Sequence, residues 1–175
     1  ETVSTFKLRM SYGALGNQNI GLYRYIPTLS YNTNTLNYPF GGRETSMGYA
    51  ITSFPSSDIK WETTVYKNIG VDVSLWNNKL ELSAEAYIKN TSDMLSSRNI
   101  SMATGYNTSI LVNDGKLRTT GFEMQAIYHG KAGGLKYDLD LNLSHYKSVL
   151  KSMANPDYLY EYGALRTYVG GEIGE

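Results

Sequence analysis

The side chains able to do acid-base or metal chemistry are few, and their spacing does not suit it. His129 lies in a glycine-rich turn, His129-Gly-Lys-Ala-Gly-Gly134, and His145 falls near the end of a strand. Neither has the spacing of a Ser-His-Asp set or of a histidine metal site, and both read as surface histidines. Asp138-x-Asp140-x-Asn142 starts like a calcium loop, but leucines fill the alternate positions and the loop's glycine is missing. Glu81 and Glu85 lie on one face of one strand, roughly 13 Å apart. Glycosidase carboxyl pairs stand about 5 to 9.5 Å apart, so these two also read as a polar strand face. No catalytic residue, metal or cofactor is expected, and the chain does not read as an enzyme.

Aromatic and amide groups are the richer resource. The chain has 16 Tyr against 4 Phe. Tyr23, Tyr25, Tyr31, Tyr38 and Tyr49 interleave with Asn17, Gln18, Asn19, Asn32 and Asn34. Aromatic faces beside amide hydrogen-bonding groups suit contact with a sugar or a peptide. Packing within the loop, or contact with a protein partner, would use the same residues. The stretch is a candidate substrate- or partner-contact loop.

The elements that must carry such a loop are strands. In residues 62–75, Val65, Ile69, Val71, Val73 and Leu75 share one face, opposite Tyr66, Asn68, Gly70, Asp72 and Ser74. In residues 80–91, Leu80, Leu82, Ala84, Ala86 and Ile88 oppose Glu81, Ser83, Glu85, Tyr87 and Lys89. Period two puts successive side chains on opposite sides of a strand. Asn77-Asn78 between the two runs tolerates the positive φ of a tight turn, so this is a hairpin. Further strands are expected over residues 6–12, 116–128 and 135–149, with Ile127 breaking the alternation. Long loops are expected over 13–61, 92–115 and 150–175, because Gly and Pro interrupt the first and Pro156 the last, with short local strands such as Tyr25 to Tyr31 inside the first.

Each hairpin arm has about a dozen residues, against five or six in an ordinary strand. A membrane-spanning strand needs roughly ten, tilted by about 45°. One aliphatic face and one polar face fit a barrel wall with lipid outside and water inside. They fit equally a large soluble sandwich with its core on one side. Connections that run long, short, long, short, long favour the barrel, whose turns are short on one side and long on the other. So do Trp61 and Trp76, which bracket one strand as interface aromatics would. Lys67 is the misfit on the apolar face. It would sit roughly 18 Å above Leu75, near the outer interface, where a lysine can snorkel.

Composition sets the remaining bounds. Net charge is zero, which does not suggest a nucleic-acid partner. The chain has no cysteine. No window of about 18 apolar residues offers a transmembrane helix, and a barrel needs none. Glu1-Thr-Val-Ser-Thr runs straight into a strand without a signal peptide, so the chain reads as an internal piece of a longer protein.

Several ordered motifs resemble the SusC/RagA-like TonB-dependent transporters. They are Tyr12-Gly-Ala-Leu-Gly-Asn-Gln18, Lys60-Trp-Glu-Thr-Thr64 with Asn68-Ile-Gly-Val-Asp72, Tyr87-Ile-Lys-Asn-Thr-Ser-Asp-Met-Leu95, and an Asn-x-Gly … Gly-Phe-Glu segment running through Gly115 to Glu123. The resemblance covers most of residues 8–143. It implies an all-β, up-and-down antiparallel meander of about five strands, part of a barrel of about 22 strands with a plugged lumen. It implies a place in the Gram-negative outer membrane, with membrane lipid against the apolar face. Implied with it are uptake of oligosaccharides or peptides, a SusD-like surface lipoprotein partner, and drive from TonB through an N-terminal part that this chain lacks. The alternative from the residues alone is a soluble or secreted all-β glycan-binding module.

Overall fold

The computed structural model describes residues 2–23, 25–31, 37–40, 44–56, 58–104, 109–154, 160–162 and 165–173. In chain order the strands are β1 (Val3–Asn17), β2 (Thr28–Tyr31), β3 (Asn37–Phe40), β4 (Glu44–Met47), β5 (Tyr49–Ser53), β6 (Glu62–Leu75), β7 (Leu80–Asn99), β8 (Ser109–Ala132), β9 (Leu135–Ser152), β10 (Tyr160–Tyr162) and β11 (Leu165–Thr167). The long ones form a single antiparallel sheet in the order β1-β6-β7-β8-β9, an up-and-down meander. β2 pairs with β5, β3 with β4 and β10 with β11, each as a separate two-stranded ribbon.

The short connections follow turn chemistry. β6 and β7 are joined by Trp76–Lys79, in which Trp76, Asn77 and Asn78 hold positive φ values of 52°, 55° and 63°. Two asparagines supply the residue type that tolerates this conformation, and Trp76 joins them in it. Gly133-Gly134 joins β8 to β9, with Gly133 at φ 61°.

Three expected boundaries are corrected. β1 runs on through Asn17, with Gly13 to Asn17 paired against Tyr66 to Glu62. The stretch expected as loop 13–61 therefore begins at residue 18 and carries β2 to β5. Residues 92–99 and 109–115, expected within loop 92–115, are the outer parts of β7 and β8 and extend past the start of β6. β9 continues to Ser152, and the last stretch carries β10 and β11. Tyr168–Ile173 then lies along the free edge of β9. There Ile173 N donates to Ser148 O (2.9 Å) and Gly170 N to Leu150 O (2.7 Å).

The sheet has no core of its own. Among the described residues Leu150, 5% exposed, is the one buried apolar side chain. Apolar residues, with His145 at the end of one row, instead line one open face in cross-strand rows. The rows are Leu75–Leu80–Tyr128–Leu139, Phe6–Val73–Leu82–Ala126–Leu141, Leu8–Val71–Ala84–Met124–Leu143 and Met10–Ile69–Ala86–Phe122–His145. Met10 is 73% exposed and Leu141 71%. Exposing such a surface to water is costly, and no layer among the described residues covers it.

Candidate functional site

Two faces of the sheet and the segment between β1 and β6 carry the candidate side chains. On the polar face Arg9 of β1 pairs with Asp72 of β6 (Nε to Oδ2, 2.8 Å) and with Glu85 of β7 (Nη1 to Oε2, 3.3 Å). Gly70 stands beneath the guanidinium, since a Cβ there would lie 3.1 Å from Arg9 Nη2. Ser83 Oγ donates to Asp72 Oδ1 (2.8 Å), and the Tyr66 hydroxyl donates to Glu85 Oε1 (3.3 Å). Asn68 Nδ2 donates to Glu85 Oε1 as well. The network ties three strands with charge-assisted bonds. Both Glu85 oxygens are engaged, and Glu81 lies toward His129 (3.8 Å), so the two glutamates form no working carboxyl pair.

Beside this network, the Tyr87 ring lies across Gly121, where a Cβ would sit 2.6 Å from Tyr87 Cζ. Tyr66 flanks Tyr87 with ring centroids 5.8 Å apart. Asp140 accepts from Gln125 Nε2 (3.1 Å) and Asn142 Nδ2 (3.1 Å), a side-chain ladder along the strand face. Among the described residues no group of three His, Cys, Asp or Glu could hold a metal ion.

At the turn end, beyond the last apolar row, His129 Nδ1 lies 2.6 Å from Asp138 Oδ1. The hydrogen bond to Asp138 and that residue's charge hold the imidazole above the usual histidine range. Chain spacing hid this pair, because Asp138 reaches His129 only through the β8–β9 register. His145 lies on the other face, with its ring 6.0 Å from Phe122.

On the apolar face the rows hold Ile69, Val71, Val73, Leu75, Leu80, Leu82, Ala84 and Ala86 together. Ile88 sits one row further out with Tyr12, Lys67, Thr120 and Lys147. Val65 sits a row beyond that, with Asn90 and Arg118. Trp61 and Trp76 flank β6 at its two ends, both exposed.

In the segment between β1 and β6, Tyr23, Tyr25 and Tyr49 are 69%, 65% and 70% exposed. The backbone of Tyr31 pairs with Tyr49, and that of Tyr38 with Ser46. The side chains of Tyr31 and Tyr38, with Asn32 and Asn34, lie outside the described residues. Asn17 is occupied: its Nδ2 donates to Glu62 Oε2 (3.1 Å), and its Oδ1 accepts from Asn19 N (3.0 Å). The Gln18 carbonyl accepts from Ile20 N (2.6 Å).

A single layer of long antiparallel strands, apolar on one face and charged on the other, is a section of a transmembrane β-barrel wall. The profile of the family "TonB dependent receptor-like, beta-barrel" matches residues 4–171, and the chain belongs to that family. The family is one of receptors, not enzymes. The TonB-dependent receptor P3 of Formosa agariphila is 35% identical over 122 residues, covering 70% of this chain and 12% of that protein. The TonB-dependent receptor SusC of Bacteroides thetaiotaomicron is 34% identical over 125 residues, covering 69% of this chain and 12% of SusC. The chain therefore spans a small part of the length of these relatives. In fold it is similar to the RagAB peptide importer in its "open-open" state, with TM-score 0.77 and 23% identity over 97% of this chain and 18% of that one. These similarities place it with the SusC/RagA-like receptors.

Proposed function

We propose that the chain is a wall segment, with outer loops, of a nutrient importer in the Gram-negative outer membrane. The importer takes up oligosaccharides or peptides, works with a SusD-like surface lipoprotein, and is driven through TonB from a part outside these residues. One observation carries this reading: four consecutive cross-strand rows are apolar on at least four of the five long strands, with no covering layer among the described residues. Lipid supplies that layer. Family membership supports the TonB-linked receptor role, and the likeness to SusC supports a lipoprotein partner.

The polar face lines the lumen, and the exposed tyrosines of the outer loop contact substrate or partner. A soluble glycan-binding module would need a second large sheet over the apolar face. The other sheets among the described residues are two-stranded ribbons of three to five residues per strand.

The test is deletion of the full-length gene. Cells are offered a panel of labelled oligosaccharides and peptides. The reading expects uptake of one class to fall on deletion and to return with the plasmid-borne gene, and the protein to fractionate with the outer membrane. A protein recovered in the soluble fraction would refute it.

A further inference from the structure

Four stretches far apart in the sequence meet where β7 and β8 leave the wall. Asn113 of β8 reaches Lys60, two residues before β6, although β7 lies between those strands in the sheet. Its Oδ1 accepts from Lys60 N (2.8 Å), and its Nδ2 donates to Lys60 O (2.8 Å). The side-chain amide thus pairs with one residue's N–H and C=O, as a neighbouring strand's backbone would. The same Nδ2 donates to Asp93 O (2.7 Å).

Asp93 sits at a break in the β7–β8 register between Thr91 and Met94, and holds a left-handed φ of 56°. Aspartate is among the few residues that tolerate this. Gly115 faces Met94 there, and a Cβ at Gly115 would lie 2.8 Å from Met94 Cβ. Glu62 closes the ring, accepting from Leu95 N (3.3 Å) and from Asn17 Nδ2 (3.1 Å). Asn113 and Gly115 are the ends of the sequence's Asn-x-Gly, and they act differently. Asn113 supplies an amide that bridges, while Gly115 lacks the side chain that would keep the bulge from closing.

We propose that Asn113 is a positioning residue for the outer loop. It fixes the returning end of loop 18–61 to the base of the β7–β8 hairpin, so that the two project from the wall as one unit. The proposal rests on the reading of that loop as external, and the test separates the two. Lys60–Trp61 is a trypsin site at the clamped residue, whereas Lys67 and Lys89 lie within β6 and β7.

Full-length Asn113→Ala and Asn113→Asp are exposed to trypsin on intact cells and again in detergent, and rates are taken per folded barrel. Asn113→Asp keeps an acceptor for Lys60 N but sets a carboxylate oxygen against the Lys60 and Asp93 carbonyls. Losing these bonds frees the segment locally, so cleavage after Lys60 should quicken about tenfold in both variants. Cleavage after Lys67 and Lys89 should stay as in the parent, since a merely weakened barrel would open at all three. Faster cleavage at Lys60 in detergent but not on cells supports the clamp and removes the external placement of the loop. Unchanged cleavage at Lys60 in both settings overturns the clamp. So does failure of both variants to assemble, because a residue that positions only the loop base leaves the wall intact.

Discussion

The Lys67 ammonium lies 5.8 Å from the centroid of the Tyr12 ring, in the cross-strand row just beyond the last continuous apolar one. A cation over an aromatic face at that height marks where the apolar band ends. In a barrel wall an arginine should cost about 2 to 4 kcal/mol at the bilayer midplane and about 0 to 1 near an interface. Val71→Arg is therefore expected to fall in the first range and Lys67→Arg in the second. Urea unfolding of the full-length barrel in lipid vesicles checks this, and equal penalties would place both residues in one environment.

Tyr87 and Gly121 make a second, independent prediction. Gly121→Ala drives a methyl into the Tyr87 ring, an overpacking expected to cost about 1 to 3 kcal/mol. Adding Tyr87→Ser should recover the part of that loss owed to the ring, leaving only the approach of the methyl to His145 O at 3.0 Å. A double variant as unstable as the sum of the two singles would show that the contact is not the cause.

His129 should be sensitive to pH. Asp138 raises its folded-state pKa, so the pair's contribution is fully present below the ordinary histidine value and is lost as pH rises through the raised one. Asp138→Asn should return the titration toward the ordinary range. NMR of labelled histidine in the full-length protein, compared with its His129→Gln variant, assigns the His129 signal. Titration unchanged by Asp138→Asn would contradict the pairing.

How far the sequence can be read follows from where the two faces of a strand meet different surroundings. Leu82 and Ser83 alternate cleanly because they lie in the apolar band, on opposite sides of one strand. At Leu95-Ser-Ser-Arg-Asn99 the strand continues beyond the apolar rows, and the alternation stops. The segment therefore reads as loop. Gly13 and Gly16 read as breakers, yet they pair with Tyr66 and Thr63. The tyrosines are legible as an exposed set from composition. Asn17 is not legible as a structural residue, because its partner Glu62 is 45 positions away. Asn113 is visible only as part of a motif, with nothing local to show that it grips Lys60.

The loop tyrosines can be tested by removal. Deleting residues 23–49 from the full-length protein should reduce uptake or association with the lipoprotein partner, while surface levels stay normal. Unchanged uptake and unchanged association would leave these side chains without the proposed role.

In the proposed wall the alternation in β6 and β7 assigns which side chains meet lipid, since a one-residue slip would drive Asp72, Glu81 and Glu85 into hydrocarbon. Stability cannot separate a membrane wall from a soluble sandwich, because a charge at Val71 or Leu82 harms both. Single cysteines can, and this chain has none of its own. Placed at 71 and 82 in the full-length protein, they should resist a water-soluble thiol reagent and react with a lipid-phase probe. At 72 and 83 they should do the reverse. Lipid contact at 72 and 83 instead would invert the wall, and absence of lipid contact at all four would contradict the membrane reading.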